Sequence, residues 1–211
     1  TITAGSMDLS ADATAGGAIE AGGGGDAQGG IIMFEANSDG NITVFGNLTA
    51  SADATGGDST FFGNGGTAGG GDIFVRVNQG AILVEGDVEL TVDATGGAGD
   101  AFAEGYSGGT AVGGEATVFS MGTGSIVGIT FEGTTNISAN GTGGNGAQGG
   151  LGRGGVAGIS AQGGTIDLGT EKIRLNANGA AREALLGPPA GRVAARGSLN
   201  SRVSGVGSGG L

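Results

Sequence analysis

Five isoleucines set the frame of this chain: Ile2, Ile42, Ile82, Ile126 and Ile166 open successive segments at spacings of 40, 40, 44 and 40 residues. A period of that length marks an array whose single units cannot bury their apolar faces alone and must stack to form a core. After each isoleucine comes a segment in which apolar and polar residues trade places: Met7–Asp12, Leu48–Asp53, Val88–Asp93, Thr135–Asn140 and Ile173–Asn178. Period two puts Val88, Leu90 and Val92 on one face of a strand and Glu89, Thr91 and Asp93 on the other, the pattern of a half-buried β-strand. No helical period competes with it.

Glycine supplies the second constraint. The 211 residues include 54 glycines, several times ordinary usage, and a glycine fixed in a regular element costs about 0.5–1 kcal/mol relative to alanine. So many are tolerable only at tight corners or where backbones approach closely. They concentrate in arcs running from Thr14 to Gly30, Thr55 to Gly71, Thr95 to Gly114 and Thr142 to Gly155, each closing on a Gly-Gly pair. Alternation then resumes at Ile32, Phe34, Ala36; Ile73, Val75, Val77; Ala116, Val118; and Ala157, Ile159, Ala161. Two prolines without a triplet period argue against collagen, and the regular apolar segments argue against a disordered linker.

These features predict an all-β chain folded as a parallel β-solenoid, or β-helix, with about 40 residues per coil, three short strands and a Gly-rich arc. Units begin near residues 1, 41, 81, 125 and 165. Coils stacked about 4.8 Å apart make a rod about 20–25 Å long. The expected core is the column Ile2, Ile42, Ile82, Ile126, Ile166, together with Leu9, Leu90, Ile137 and Leu175. The array spans residues 1–178. Residues 179–211 diverge from it and form a basic segment, read as a cap, a linker or a partner-contacting strand; Pro188-Pro189 forbids normal sheet pairing there.

Charge divides the chain the same way. Net charge is −12, yet residues 1–171 carry 19 acids against Arg76 and Arg153, while residues 172–211 carry six bases against Glu183. An acidic array is a poor partner for phosphates, so nucleic acid is not an expected ligand. With no Cys, His or Trp there is no disulfide, no thiolate metal site and no imidazole base. No apolar run reaches about 18 residues, so no membrane span is expected, and the start at Thr1 without a leader reads as a mature fragment.

Asp12, Asp53, Asp93, Asn140 and Asn178 fall at one position of the repeat and would line up along the rod. Stacked carboxylates make Asp12, Asp53 and Asp93 candidate Ca²⁺ ligands; the expected role is turn capping through side-chain to backbone hydrogen bonds, and no cofactor is otherwise implied. Gly24-Gly25-Asp26 and Gly97-Ala98-Gly99-Asp100 lack the nine-residue period of calcium-binding repeats. A β-helix lyase or glycosidase needs acids and bases gathered in a groove, whereas the unrepeated Glu20, Arg76, Glu104 and Arg153 lie on separate arcs, so the chain is not expected to be an enzyme. Phe61, Phe62, Phe102 and Tyr106 fall inside two arcs, where packing in a small satellite core is expected. The alternative is an exposed ridge that contacts sugars or a neighbouring fibre.

The recurring Asp-Ala-Thr-Gly-Gly blocks at 53–57 and 93–97, and the Gly-Gly-x-Ala-x-Gly-Gly blocks at 24–30, 65–71 and 108–114, resemble the repeats of filamentous-haemagglutinin-like and autotransporter-type bacterial adhesins. The resemblance covers residues 1 to about 178. It implies a secreted or surface-anchored stalk, extracellular or at the cell surface, used in adhesion or biofilm formation. Expected partners are flanking repeats or further copies of the same protein, with cell-surface or polysaccharide contact also open. Two other readings stand beside the stalk: a self-assembling filament subunit joined end to end through its β-edges, and a face that recognises an ordered surface such as ice or polysaccharide.

Overall fold

The computed structural model describes residues 1–102, 104–122, 128–169 and 172–180. Every regular element among them is a β-strand, and the strands of successive coils pair in parallel, one above the other, as a parallel β-solenoid. Three walls enclose an apolar core. The opening wall stacks Ile2–Ala4, Asn41–Val44, Ala81–Val84, Gly128–Phe131 and Thr165–Asp167. The second wall stacks Met7–Ser10, Leu48–Ser51, Val88–Thr91, Thr135–Ser138 and Ile173–Asn176. The closing wall stacks the seven-residue strands Ile31–Asn37, Asp72–Asn78, Glu115–Met121 and Val156–Gln162.

Register is fixed by the apolar phase, since a slip of one residue would turn every inward side chain outward. Ile42, Ile82, Leu90 and Ile137 are buried, and Leu9, Ile166 and Leu175 pack against the same core from the less enclosed end coils. Two expected positions differ. Ile129, paired with Ile82 below and Ile166 above, holds the fourth place in the isoleucine column. Ile126 lies outside the described residues; the longer third coil displaces the next opening strand, so Ile82 and Ile129 are 47 residues apart and Ile129 and Ile166 are 37. Ile2 stands in the column but is 53 % exposed, because the first coil has a neighbour on one side only.

The Gly-rich arc carries strands of its own. Ala13–Thr14, Ala54–Thr55, Ala94–Thr95, Gly141–Thr142 and Gly179–Ala180 stack on the outgoing limb; Ala27–Gln28, Ala68–Gly69, Ala111–Val112 and Gly152–Arg153 stack on the returning limb. The two limbs face each other and the gap between them tapers. Nearest the core it is filled by a small alanine cluster, Ala54, Ala68, Ala94 and Ala111. Beyond that nothing but backbone fits.

There the limbs bond directly. The Gly66 N–H donates to Gly57 O at 2.8 Å, Gly97 N–H to Gly66 O at 2.9 Å, Gly109 N–H to Gly97 O at 2.8 Å, and Gly144 N–H to Gly109 O at 2.9 Å. Each bond crosses from one limb to the other, alternately within a coil and up to the next, so a zigzag of amides runs along the rod. A parallel seam closes the apolar compartment: Gly71 N–H donates to Ala52 O and Gly114 N–H to Val92 O, at 2.7 and 2.8 Å. A Cβ on Gly97 would lie 2.0 Å from Gly57 O, and one on Gly109 would lie 1.8 Å from Gly66 O. Glycine is required at these places by contact distance.

Gly97→Ala is therefore expected to destabilise the fold by more than about 3 kcal/mol. Gly16→Ala, in the same column but with open space below, should stay within about 1 kcal/mol of the parent. Urea denaturation followed by circular dichroism compares the two; equal losses would mean that the amide zigzag is not what holds the limbs. Thr135 stands in an apolar column between Val88 and Ile173 with its buried hydroxyl unpartnered. Thr135→Val should raise the denaturation midpoint by the equivalent of about 1 kcal/mol.

Candidate functional site

Corners, where the strand ladder lapses, expose backbone amides that need acceptors. Asp and Asn supply them from the coil before. Asp12 Oδ1 accepts from the Asp53 N–H at 2.7 Å, Asp53 Oδ1 from the Asp93 N–H at 2.6 Å, Asp93 Oδ1 from the Asn140 N–H at 2.6 Å, and Asn140 Oδ1 from the Asn178 N–H at 2.9 Å. The other carboxylate oxygens take hydroxyls: Thr91 donates to Asp53 Oδ2 at 3.1 Å, Ser138 to Asp93 Oδ2 at 2.9 Å and Ser10 to Asp12 Oδ2 at 2.8 Å, while Ser51 shares Asp12 Oδ1 with the Asp53 amide. The same device recurs elsewhere, with Asp26 accepting from Thr67 N–H, Asn47 from Asp87 N–H, Asp58 from Ala98 N–H and Asn64 from Ser107 N–H.

This ladder occupies the candidate Ca²⁺ ligands Asp12, Asp53 and Asp93 with donors of the protein itself. Among the described residues, no group of three carboxylates is arranged to hold a metal ion. Burial pushes the Asp53 carboxyl above its ordinary value, and the charges of Asp93 and Asp12 push the same way, against the Asp93 amide and the Thr91 hydroxyl. At Asp12 burial also raises, but the Ser51 hydroxyl, the Asp53 amide and the Ser10 hydroxyl together hold the carboxyl below the ordinary value. The Thr67 amide and hydroxyl lower Asp26.

At the lobe tip the aromatic residues point outward, not into a satellite core. Phe61 and Phe62 are 58 % and 59 % exposed and Phe102 is 93 % exposed. The physical reason is the taper: limbs at amide hydrogen-bonding distance leave no interior for a ring. Asp100, buried, accepts from the Phe62 N–H at 2.9 Å and the Phe102 N–H at 2.8 Å and so pins both backbones. Tyr106 is partly buried and meets Phe62 edge to face at 6.3 Å. With Ile19, 81 % exposed on the first coil, the tip presents an apolar ridge.

A second feature, which the sequence reading did not single out, lies on the outer face of the closing wall. Outward positions there include Phe74, Arg76, Thr117 and Phe119, and they rim a hollow of about 380 Å³. The signal was present: Phe74 and Phe119 sit in the polar phase of their strands. Arg76 and Glu35, neighbours in register, approach to 3.9 Å.

No family model, curated protein or solved structure matches the chain. No helix among the described residues is long and apolar enough to cross a membrane.

The ladder yields a pH prediction. A raised Asp53 value means that the folded state binds the proton more tightly than the unfolded chain does, so ionisation of Asp53 opposes folding. That favourable protonation is fully present below the ordinary aspartate value of 3.8 and is lost as pH rises through the raised value. Asp53→Asn keeps the Oδ1 acceptor, as Asn140 does naturally, and should raise the melting temperature by about 2 °C at pH 7, with no gain below pH 3.8. Asp12→Asn should lower it at pH 7, since the lowered carboxylate contributes stability that is lost only as pH falls. Melting curves from pH 3 to 7, as order-of-magnitude steps about one unit apart, check both signs.

Proposed function

We propose that this chain is a non-catalytic structural rod, a stalk or fibre segment of an extracellular or cell-surface protein of the adhesin or biofilm-matrix kind. The observation that carries the reading is where the polar side chains go. Along five coils the Asp and Asn residues accept amides of the next coil, and the glycines bring limbs together. Chemistry invested in joining one coil to the next gives length and stiffness, the properties a stalk needs. The resemblance of the Asp-Ala-Thr-Gly-Gly blocks to adhesin repeats supports the surface setting.

A filament subunit is the second reading, and the first coil favours it. Its strands Ile2–Ala4, Met7–Ser10 and Ile31–Asn37 are each at the end of their sheets, and Gly16 has open space where Gly57 and Gly97 meet the carbonyl of a coil below. Such an edge is a template for another coil.

Negative-stain electron microscopy of the 211-residue chain across a dilution series separates the readings. The stalk reading expects short rods at every concentration. Long uniform fibres, abolished by Gly16→Ala while the monomer stays folded, would replace it with the filament. Globular particles of neither kind would refute both.

A further inference from the structure

We propose that the hollow on the closing wall is a saccharide subsite selective for a carboxylated, uronic-acid-type sugar. The inference is independent of whether the rod serves as stalk or filament.

The hollow arises from one column. Met33, Phe74, Thr117 and Gly158 occupy the same outward position in four successive coils, and the side chain dwindles to nothing at Gly158. Beside it runs the column Glu35, Arg76, Phe119 and Ser160. The missing side chain at Gly158, flanked by Phe119 and stepped up from Phe74, leaves the cavity of about 380 Å³. That volume lies in the range of small-ligand sites, roughly 300–1,000 Å³, which pair apolar walls with a few placed polar groups.

Charge decides the class of ligand. Arg76 is one of two bases among residues 1–171, which carry 19 acids, and the wall holds it over the hollow. Its guanidinium carbon lies 5.9 Å from the centre of the Phe74 ring, a cation–π contact that orients the planar group. Glu35 at 3.9 Å is too distant for a hydrogen bond, and 38 % of the Arg76 side chain is exposed, so a ligand carboxylate can take the paired N–H groups at closer range. At the other end stands Glu115, with the Thr117 hydroxyl between the two charges and the Ser160 hydroxyl further along the column of Arg76; both hydroxyls suit sugar hydroxyls. The aromatic walls suit the C–H face of a pyranose ring.

A peptide fits less well. The strands Asp72–Asn78 and Glu115–Met121 are paired on both sides within the wall, so no backbone edge is open for an added strand.

Titration of the full chain with trigalacturonic acid, followed by NMR chemical shifts, tests the proposal, with maltotriose as the neutral counterpart. Saturable binding of the acidic trisaccharide is expected, at least about tenfold tighter than maltotriose. Arg76→Gln should remove that preference. Gly158→Val should abolish binding by filling the hollow, yet leave the fold intact, because its Cβ meets only Thr117 Cγ2 at 3.6 Å. Phe102→Ala, at the lobe tip, should change nothing. The proposal is overturned by no binding, by equal affinity for maltotriose, or by binding that survives both Arg76→Gln and Gly158→Val, which would place the sugar on the basic residues after 171 instead.

Discussion

Amide-to-amide contact across the glycine lobe is the constraint on which the rest of this solenoid depends. Once the limbs approach to the 2.8–2.9 Å of the Gly57, Gly66, Gly97 and Gly109 bonds, no side chain can stand between them. The cross-section is thereby graded: branched and aromatic residues at the wide end, alanines in the middle and bare backbone toward the tip. A 40-residue coil would otherwise enclose far more lumen than its apolar residues could fill. Collapsing half of it onto hydrogen bonds removes that demand, since buried amides that find partners avoid the penalty of unpaired ones.

The same constraint exports aromatic residues to the surface. Rings that the lobe cannot house stand at its tip, and Asp100 secures the backbone beneath two of them. The closing wall differs, because its inward phase lies over the wide compartment. There Ile73, Val75 and Val77 fill the core, and Phe74 and Arg76 stand on the outward face of the same strand.

Much of the fold was legible in the sequence, for a reason visible at Val88–Asp93: a strand buried on one face writes that face in period two, and stacking repeats the phase 40 residues on. The Asp12, Asp53, Asp93 alignment could be read equally well, because corner acceptors recur with the coil. The fourth isoleucine could not. Ile126 and Ile129 lie three residues apart with Val127 between them, and the pairing of Phe131 with Val84 fixes Ile129 as the one that belongs to the column. Nor could the lobe's interior be read, since glycine has no side chain to show a phase. Its clue was the recurrence of Gly65-Gly66 as Gly108-Gly109, and a spacing does not say that opposite limbs touch. That is why Phe61 and Phe102 were expected inside.

The Asp and Asn acceptors of the corner ladder face one way. At the repeated corners the carboxylate or amide oxygen belongs to the earlier coil and the N–H to the later one, Asp100 at the lobe tip being the exception. A finished coil therefore displays acceptors already set at the positions where the next must donate, whereas a later coil offers nothing equivalent to an earlier one at those corners. The ladder thus gives the rod a polarity, with its acceptors on the side of each coil that meets the next.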